Sequence, residues 1–300
     1  MNHLSVIARQ LSGLTVALPT PFTEEHVIDL PALRRLVRRA LKGGAQAVLP
    51  LGSTGEASAL EDVERDVVLL AALEEAAGRP VIVGTGSNST RQAIAWTRRA
   101  RQLGARAALV VTPYYNRPTQ NGLVAHYQAI AEAVPGFPLL AYNVPSRTGV
   151  NLEPATLRAL WRIPELIGVK ESSGDLAQIE QIARDLPMGK LLLAGDDALA
   201  APSIALGARG LVSVLGNAYP EWVAELVRTA LAGRTEEAAR LQEQLAPLIE
   251  ALFHESNPIP LKALLKHLGV CGNHLRVPLM AASLETRKVL AAAMQRALVA

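Results

Sequence analysis

One lysine stands out for where it falls. Lys170 ends the apolar run Leu166-Ile167-Gly168-Val169 and is followed by Glu171. Burial at the end of an apolar strand penalises an ammonium and so favours the free amine, which attacks a ketone to give an imine. Once protonated, that imine draws electrons from the adjacent carbon and lets it lose a proton. The competing reading is a structural ion pair with Glu171 or another carboxylate. Successive strand residues face opposite sides, which disfavours Glu171 as the partner.

Other polar groups gather where apolar runs stop. Gly52-Ser53-Thr54-Gly55-Glu56 follows one of them. Small residues there let backbone N–H groups approach a carboxylate, and Ser53 and Thr54 add hydroxyls; a plain packing turn reads equally well. The segment lacks the spacing and lysine of a phosphate-binding loop. Tyr142 could relay a proton to or from Lys170, but a phenol is a weak base and needs a hydrogen-bond chain; otherwise it only caps a strand. Arg147 carries the planar fork that holds carboxylates, or forms a surface ion pair. Asp196-Asp197 reads as a helix cap, with Asp197 placed to cap at Ala198, in preference to a magnesium site. Six scattered histidines with no paired spacing and a single cysteine, Cys271, supply neither a metal cluster nor a disulfide.

Positioning these groups requires a repeating scaffold. Strand-like runs at 14–18, 45–51, 81–83, 107–111, 138–142, 167–170, 191–194 and 210–214 alternate with helical stretches at 30–41, 61–76, 90–103, 123–133, 154–160, 176–186 and 198–206. Further helices follow at 220–231, 236–252, 259–268 and 284–298. The strand runs are apolar on successive positions, as in a parallel sheet covered on both faces. Eight such units predict an α/β fold, a (β/α)8 TIM barrel over 1–225 with a C-terminal helical region over 226–300. A doubly wound sheet would place a Gly-rich loop after the first strand, where Pro19-Thr20-Pro21 stands instead. In a barrel the polar groups above sit at the catalytic, C-terminal rim.

Composition agrees with a soluble enzyme. Of 300 residues, 50% are hydrophobic and 19% charged, with a net charge of +3, so a large core can form. The basic stretch Arg34, Arg35, Arg38, Arg39 and Lys42 interleaves with Leu33, Leu36 and Val37 and has no aromatic partners. It reads as the wet face of an amphipathic helix, and no nucleic-acid partner is expected. No run approaches a membrane span and no secretory leader is visible, so a cytoplasmic setting is expected.

At these residues the chain resembles the dihydrodipicolinate synthase family, within the wider pyruvate-dependent lyase and aldolase superfamily. The likeness spans nearly the whole chain through GSTGE at 52–56, GTGSNST at 84–90, VTPYYNRP at 111–118, YNVPSRTG at 142–149, GVKESSG at 168–174, AGDD at 194–197 and SNPIPLK at 256–262. The resemblance implies a Schiff base between Lys170 and pyruvate. Tyr142 would transfer the proton, with Ser53 linking it to Tyr115 from a second copy of the chain. Thr54 would receive the pyruvate carboxylate, Arg147 would hold that of L-aspartate 4-semialdehyde, and Gly195 and Val212 would line the pocket. It further implies synthesis of a lysine and diaminopimelate precursor, no metal or organic cofactor, and a homotetramer built from tight dimers, or a homodimer. Two rival readings are a related lyase acting on a sugar acid and a noncatalytic metabolite-sensing barrel.

The chain departs from the family pattern in three places. Ser53 stands where many synthases have threonine, and Ala57 replaces a frequent serine. The allosteric groove of lysine-inhibited relatives would fall on Ser58, Asp62, Arg65, Asn88, Gln92 and Tyr114. Asp62, Arg65 and Gln92 replace histidines and a glutamate there. Gln92 lacks the charge a lysine ammonium prefers and Arg65 repels it, so weak or absent feedback by L-lysine is expected.

Overall fold

The computed structural model describes residues 3–299. Eight parallel strands, β1 (Gly13–Ala17), β2 (Ala47–Leu49), β3 (Ile82–Gly84), β4 (Ala107–Val111), β5 (Leu139–Asn143), β6 (Leu166–Glu171), β7 (Leu191–Ala194) and β8 (Gly210–Ser213), pair in the order β2-β1-β8-β7-β6-β5-β4-β3. The remaining seam between β2 and β3 is bridged at Val48 and Val81, with Gly84 N donating to Pro50 O at 3.1 Å. The expected TIM barrel is therefore what forms.

Helices α2 (Leu30–Lys42), α3 (Asp62–Ala76), α4 (Thr90–Leu103), α5 (Gln120–Ala133), α7 (Pro154–Leu160), α8 (Leu176–Asp185), α9 (Ala200–Ala205) and α10 (Pro220–Leu231) surround the barrel. A one-turn helix, α6 (Pro145–Thr148), precedes α7, and α11 (Thr235–Leu252), α12 (Ile259–His267) and α13 (Leu284–Val299) complete the chain. In α2 the Asp29 carboxylate caps Ala32 N, and Ala32, Leu33, Leu36, Val37 and Ala40 form the buried stripe. Its basic face pairs with α3 through Arg34 to Glu74 and Glu75 and through Arg38 to Glu75. The basic run is thus a solvated helix face. No helix among the described residues is long and apolar enough to cross a membrane.

Two helices escape the sequence reading, the one-turn α6 and a longer one at the start of the chain. Helix α1 (His3–Gln10) places Ile7 and Ala8, with Leu11 just beyond, among the apolar residues that fill the barrel interior. Gln10 accepts from Arg106, just ahead of β4, so α1 stoppers the end of the barrel opposite the catalytic rim. Another correction concerns Asp197. The cap on Ala198 N is Asp196, whereas the buried Asp197 carboxylate accepts from Ser213 Oγ, Val214 N and Leu215 N and ties the start of the 197–199 turn to the end of β8. Burial raises the Asp197 carboxyl above its usual range against the pull of those donors.

Alternation along β5 and β6 aims the reactive groups. A register shift follows Leu139, and beyond it Tyr142 pairs with Lys170 and Asn143 with Glu171. Leu140 and Tyr142 face the interior, while Leu139 and Ala141 pack outward against the helices.

Candidate active site

Lys170 and Tyr142 arrive side by side because their strands are in register. The Lys170 Nζ lies 4.0 Å from the centroid of the Tyr142 ring, and both residues are buried. Gly195, one step past β7, makes the room: a Cβ there would fall 2.8 Å from Lys170 Cε and 2.0 Å from Ser172 Oγ. Glu171, on the opposite face, forms no ion pair among the described residues. It accepts from Asn143 Nδ2 at 3.0 Å, Ser173 N at 2.6 Å and Gln178 Nε2 at 3.4 Å. Burial raises its carboxyl above the usual range, opposed by those hydrogen bonds. The Asn143–Glu171 contact lies behind the strand pair that carries Tyr142 and Lys170.

Across the barrel mouth, Ser53–Gly55 form a single 3-10 turn after β2. Gly55 fits close under the chain, where a Cβ would lie 3.2 Å from Leu18 O, and its carbonyl accepts from Thr20 Oγ1 at 2.7 Å. Thr54 is buried and its hydroxyl accepts from Asn257 Nδ2 at 2.9 Å. The carbonyl of the same Asn257 accepts from Arg147 Nη2 at 3.2 Å. Asn257 therefore joins the turn to the arginine. Below it, the Glu56 carboxylate receives the buried Lys262 ammonium and Arg276 N. Burial lowers the Lys262 ammonium from its ordinary value while Glu56 pulls it back up.

A cavity of about 480 Å³ opens between these walls and is bordered by Ser53, Thr54, Tyr142, Arg147, Lys170 and Gly195. Six of the eight residues expected at the site thus converge. Val212 does not border this cavity; it is packed in the apolar interior beneath, and Val214, two residues further along, takes the lining position. Tyr115 also stays outside, 89% exposed, with φ +72°. A left-handed conformation is uncommon for a tyrosine and signals a segment held by its surroundings; here Tyr115 N donates to Thr148 O at 3.3 Å.

The expected allosteric residues separate. Ser58, Arg65 and Tyr114 border an adjoining cavity of about 400 Å³, and Asp62 borders a smaller one of about 240 Å³ that also reaches Arg65. Asn88 and Gln92 border neither. Arg65 is buried, donates to Ala57 O and Gly84 O, and its guanidinium lies 3.8 Å from the centroid of the Trp96 ring. Desolvation brings it down to about 10. Trp96 in turn donates to Asp62 at 2.7 Å.

Sequence reasoning missed Asn257, Ser172 and the Glu56–Lys262 pair. Nothing local places residue 257 against residue 54, although SNPIP marked the stretch. Ser172 carried a faint signal, standing two residues past Lys170.

Comparison with known proteins agrees with this geometry. A profile of the Dihydrodipicolinate synthetase family matches residues 10–297. The 4-hydroxy-tetrahydrodipicolinate synthase of Thermomicrobium roseum is 48% identical over 285 residues, covering 95% of this chain and 94% of that protein. The enzyme of the same name from Methylococcus capsulatus is 42% identical over 288 residues, covering 96% and 99%. Among solved structures, the chloride-inhibited dihydrodipicolinate synthase of Acinetobacter baumannii, complexed with pyruvate, superposes with a TM-score of 0.94 at 40% identity, covering 97% of this chain and 100% of that one. Dihydrodipicolinate synthase from Thermotoga maritima gives a TM-score of 0.93 at 36% identity, covering 97% and 100%. This chain belongs to the dihydrodipicolinate synthetase family.

Proposed function

We propose that the protein is a 4-hydroxy-tetrahydrodipicolinate synthase, a lyase that condenses pyruvate with L-aspartate 4-semialdehyde through an imine on Lys170. The observation that carries this reading is the Lys170 amine held against the Tyr142 ring, in a cavity shared with Arg147 and the Ser53–Gly55 turn. The pyruvate complex of the Acinetobacter baumannii relative supports pyruvate as the first substrate.

Lys170 Nζ attacks the ketone carbon and water leaves as the imine forms. Tyr142 removes a methyl proton, giving an enamine. The enamine carbon bonds to the aldehyde carbon, and the proton returns to the new alkoxide. The substrate's own amine then attacks the imine carbon, closes a six-membered ring and releases the Lys170 amine. Thr54 and the N–H groups of its turn hold the pyruvate carboxylate, and Arg147 holds that of the aldehyde through its planar fork. Ser53 passes the proton between Tyr142 and a Tyr115 supplied by a second copy. The exposure of Tyr115 away from its own cavity supports that sharing, and with it a homodimer or a tetramer of tight dimers. Residues 1–225 provide the catalytic barrel and 226–300 buttress it through Asn257 and Lys262. The chemistry needs no metal or organic cofactor. A cytoplasmic setting suits a chain whose one cysteine is buried, its thiol pushed up to about 11 by desolvation.

A coupled condensation assay with both substrates, run beside Lys170→Ala, tests the assignment. Turnover by the wild type alone is expected. Cleavage of a sugar acid without condensation of L-aspartate 4-semialdehyde would assign the site to another pyruvate lyase.

A further inference from the structure

Ser172 stands apart from the other hydroxyls around the cavity. It follows β6, two residues beyond Lys170, and its N–H donates to Asn143 O at 2.9 Å, which extends the β5–β6 pairing by one more bond. Its Oγ is buried and has no hydrogen-bond partner among the described residues. The residue borders the cavity together with Lys170, Gly195 and Asp196. The absent Cβ of Gly195 leaves the space that Ser172 Oγ and Lys170 Cε approach from two sides.

A buried hydroxyl without a partner is destabilising, and alanine would avoid that cost while giving up only the volume of one oxygen. Turn formation does not explain the residue either. The next serine does that work: Ser173 Oγ accepts from Asp175 N at 3.2 Å ahead of α8. Because no bond holds the Ser172 hydroxyl, rotating it toward the cavity breaks none.

We propose that Ser172 is a substrate-binding residue whose hydroxyl engages the oxygen that enters as the aldehyde carbonyl and leaves as the new secondary alcohol. The inference rests on the synthase reading above. Along the covalent intermediate, that oxygen lies three bonds beyond the imine carbon, on a chain anchored at the Lys170 tip beside Ser172. Ser172 donates a hydrogen bond as negative charge grows on the oxygen, and the proton itself still comes through Tyr142. A donor aimed at a developing oxyanion acts on the bond-forming step, not on imine formation.

Ser172→Ala separates these steps. Borohydride trapping of pyruvate on Lys170 should match the wild type, and the thermal midpoint should stay level or rise. The kcat/KM for condensation should fall about tenfold, with recovery in Ser172→Thr, which restores the hydroxyl. Condensation at the wild-type rate in Ser172→Ala would overturn the inference. Equal losses in trapping and condensation would also do so, since Ser172 would then act on Lys170. A wild type that traps pyruvate but does not condense the semialdehyde would overturn the synthase reading, and this inference with it. The wild-type assay therefore judges the reading, and the ratio of variant to wild type judges Ser172.

Discussion

Lys262 and Glu56 form an ion pair with 0% and 1% of their side chains accessible, joining α12 to the turn that carries Ser53 and Thr54. Each partner makes a second hydrogen bond: Lys262 also donates to His274 O at 2.8 Å, and Glu56 accepts from Arg276 N at 3.0 Å. Phe22 covers the ammonium, 4.3 Å from its ring centroid.

Removing one partner leaves the other charged in a dry site. Lys262→Met should therefore cost about 3–5 kcal/mol. Glu56→Gln with Lys262→Met should recover part of that loss, because a neutral amide replaces the stranded carboxylate. Urea unfolding midpoints measure both. A single variant as stable as wild type would mean that the pair contributes nothing to holding the turn.

Loss of the amine and loss of the phenol should have different signatures. Lys170→Ala should abolish both the pyruvate adduct, read by mass after borohydride, and turnover. Tyr142→Phe keeps the ring under the Lys170 amine, 4.0 Å away in the wild type, and removes only the hydroxyl. The adduct should still form, while kcat falls about 10²–10⁴-fold, the range for a lost general acid–base group. Full activity in Tyr142→Phe would assign the proton transfer to another residue.

What could be read from the sequence follows from how each feature is encoded. Parallel strands buried on both faces leave unbroken apolar runs, so the barrel was visible, and Lys170, Tyr142 and Gly195 were visible as polar or small residues where runs end. Short elements and distant contacts leave no such trace. Helix α1 spans 8 residues and is defined by the barrel end it closes. The Asn257–Thr54 bond joins residues 203 apart, and Lys262–Glu56 joins residues 206 apart. Asp197 shows the limit of local rules: its position suits a cap, but the adjacent Asp196 takes that role and frees Asp197 to hold β8. Val212 has the alternation of a lining residue and lies one layer too deep.

Arg65 should make L-lysine a poor ligand for the neighbouring groove. Its guanidinium is fixed by two backbone carbonyls and the face of Trp96, with no ion-paired carboxylate among the described residues. A cationic side chain entering the cavity that Arg65 shares with Ser58 and Tyr114 meets a positive charge that Asp62 and Asp66 offset only through space. Initial rates should be unchanged by L-lysine at concentrations that inhibit sensitive relatives, and calorimetry should show weak binding or none. Strong inhibition accompanied by tight binding would contradict this.

His126 should make the fold acid-sensitive. Its ring is buried on α5, with Nδ1 2.9 Å from Thr90 Oγ1, Nε2 unpartnered among the described residues, and Tyr127 edge-on at 5.4 Å. Burial lowers its pKa from 6.5 to about 4. The unfolded chain takes up this proton as pH drops below 6.5, whereas the folded chain resists until about 4. The stability contributed by neutral His126 is therefore complete above pH 6.5 and is lost progressively down to pH 4. The loss amounts to about 3 kcal/mol by linkage. Glu171 and Asp197 act in the opposite sense, because their raised carboxyls favour the folded state as acid is added. That contribution is common to wild type and His126→Gln, so the difference between their urea stabilities isolates the histidine. The two curves should converge as pH falls from 6.5 to 4, with the variant losing less. Parallel curves across that window would show that His126 is protonated as readily in the fold as in the unfolded chain.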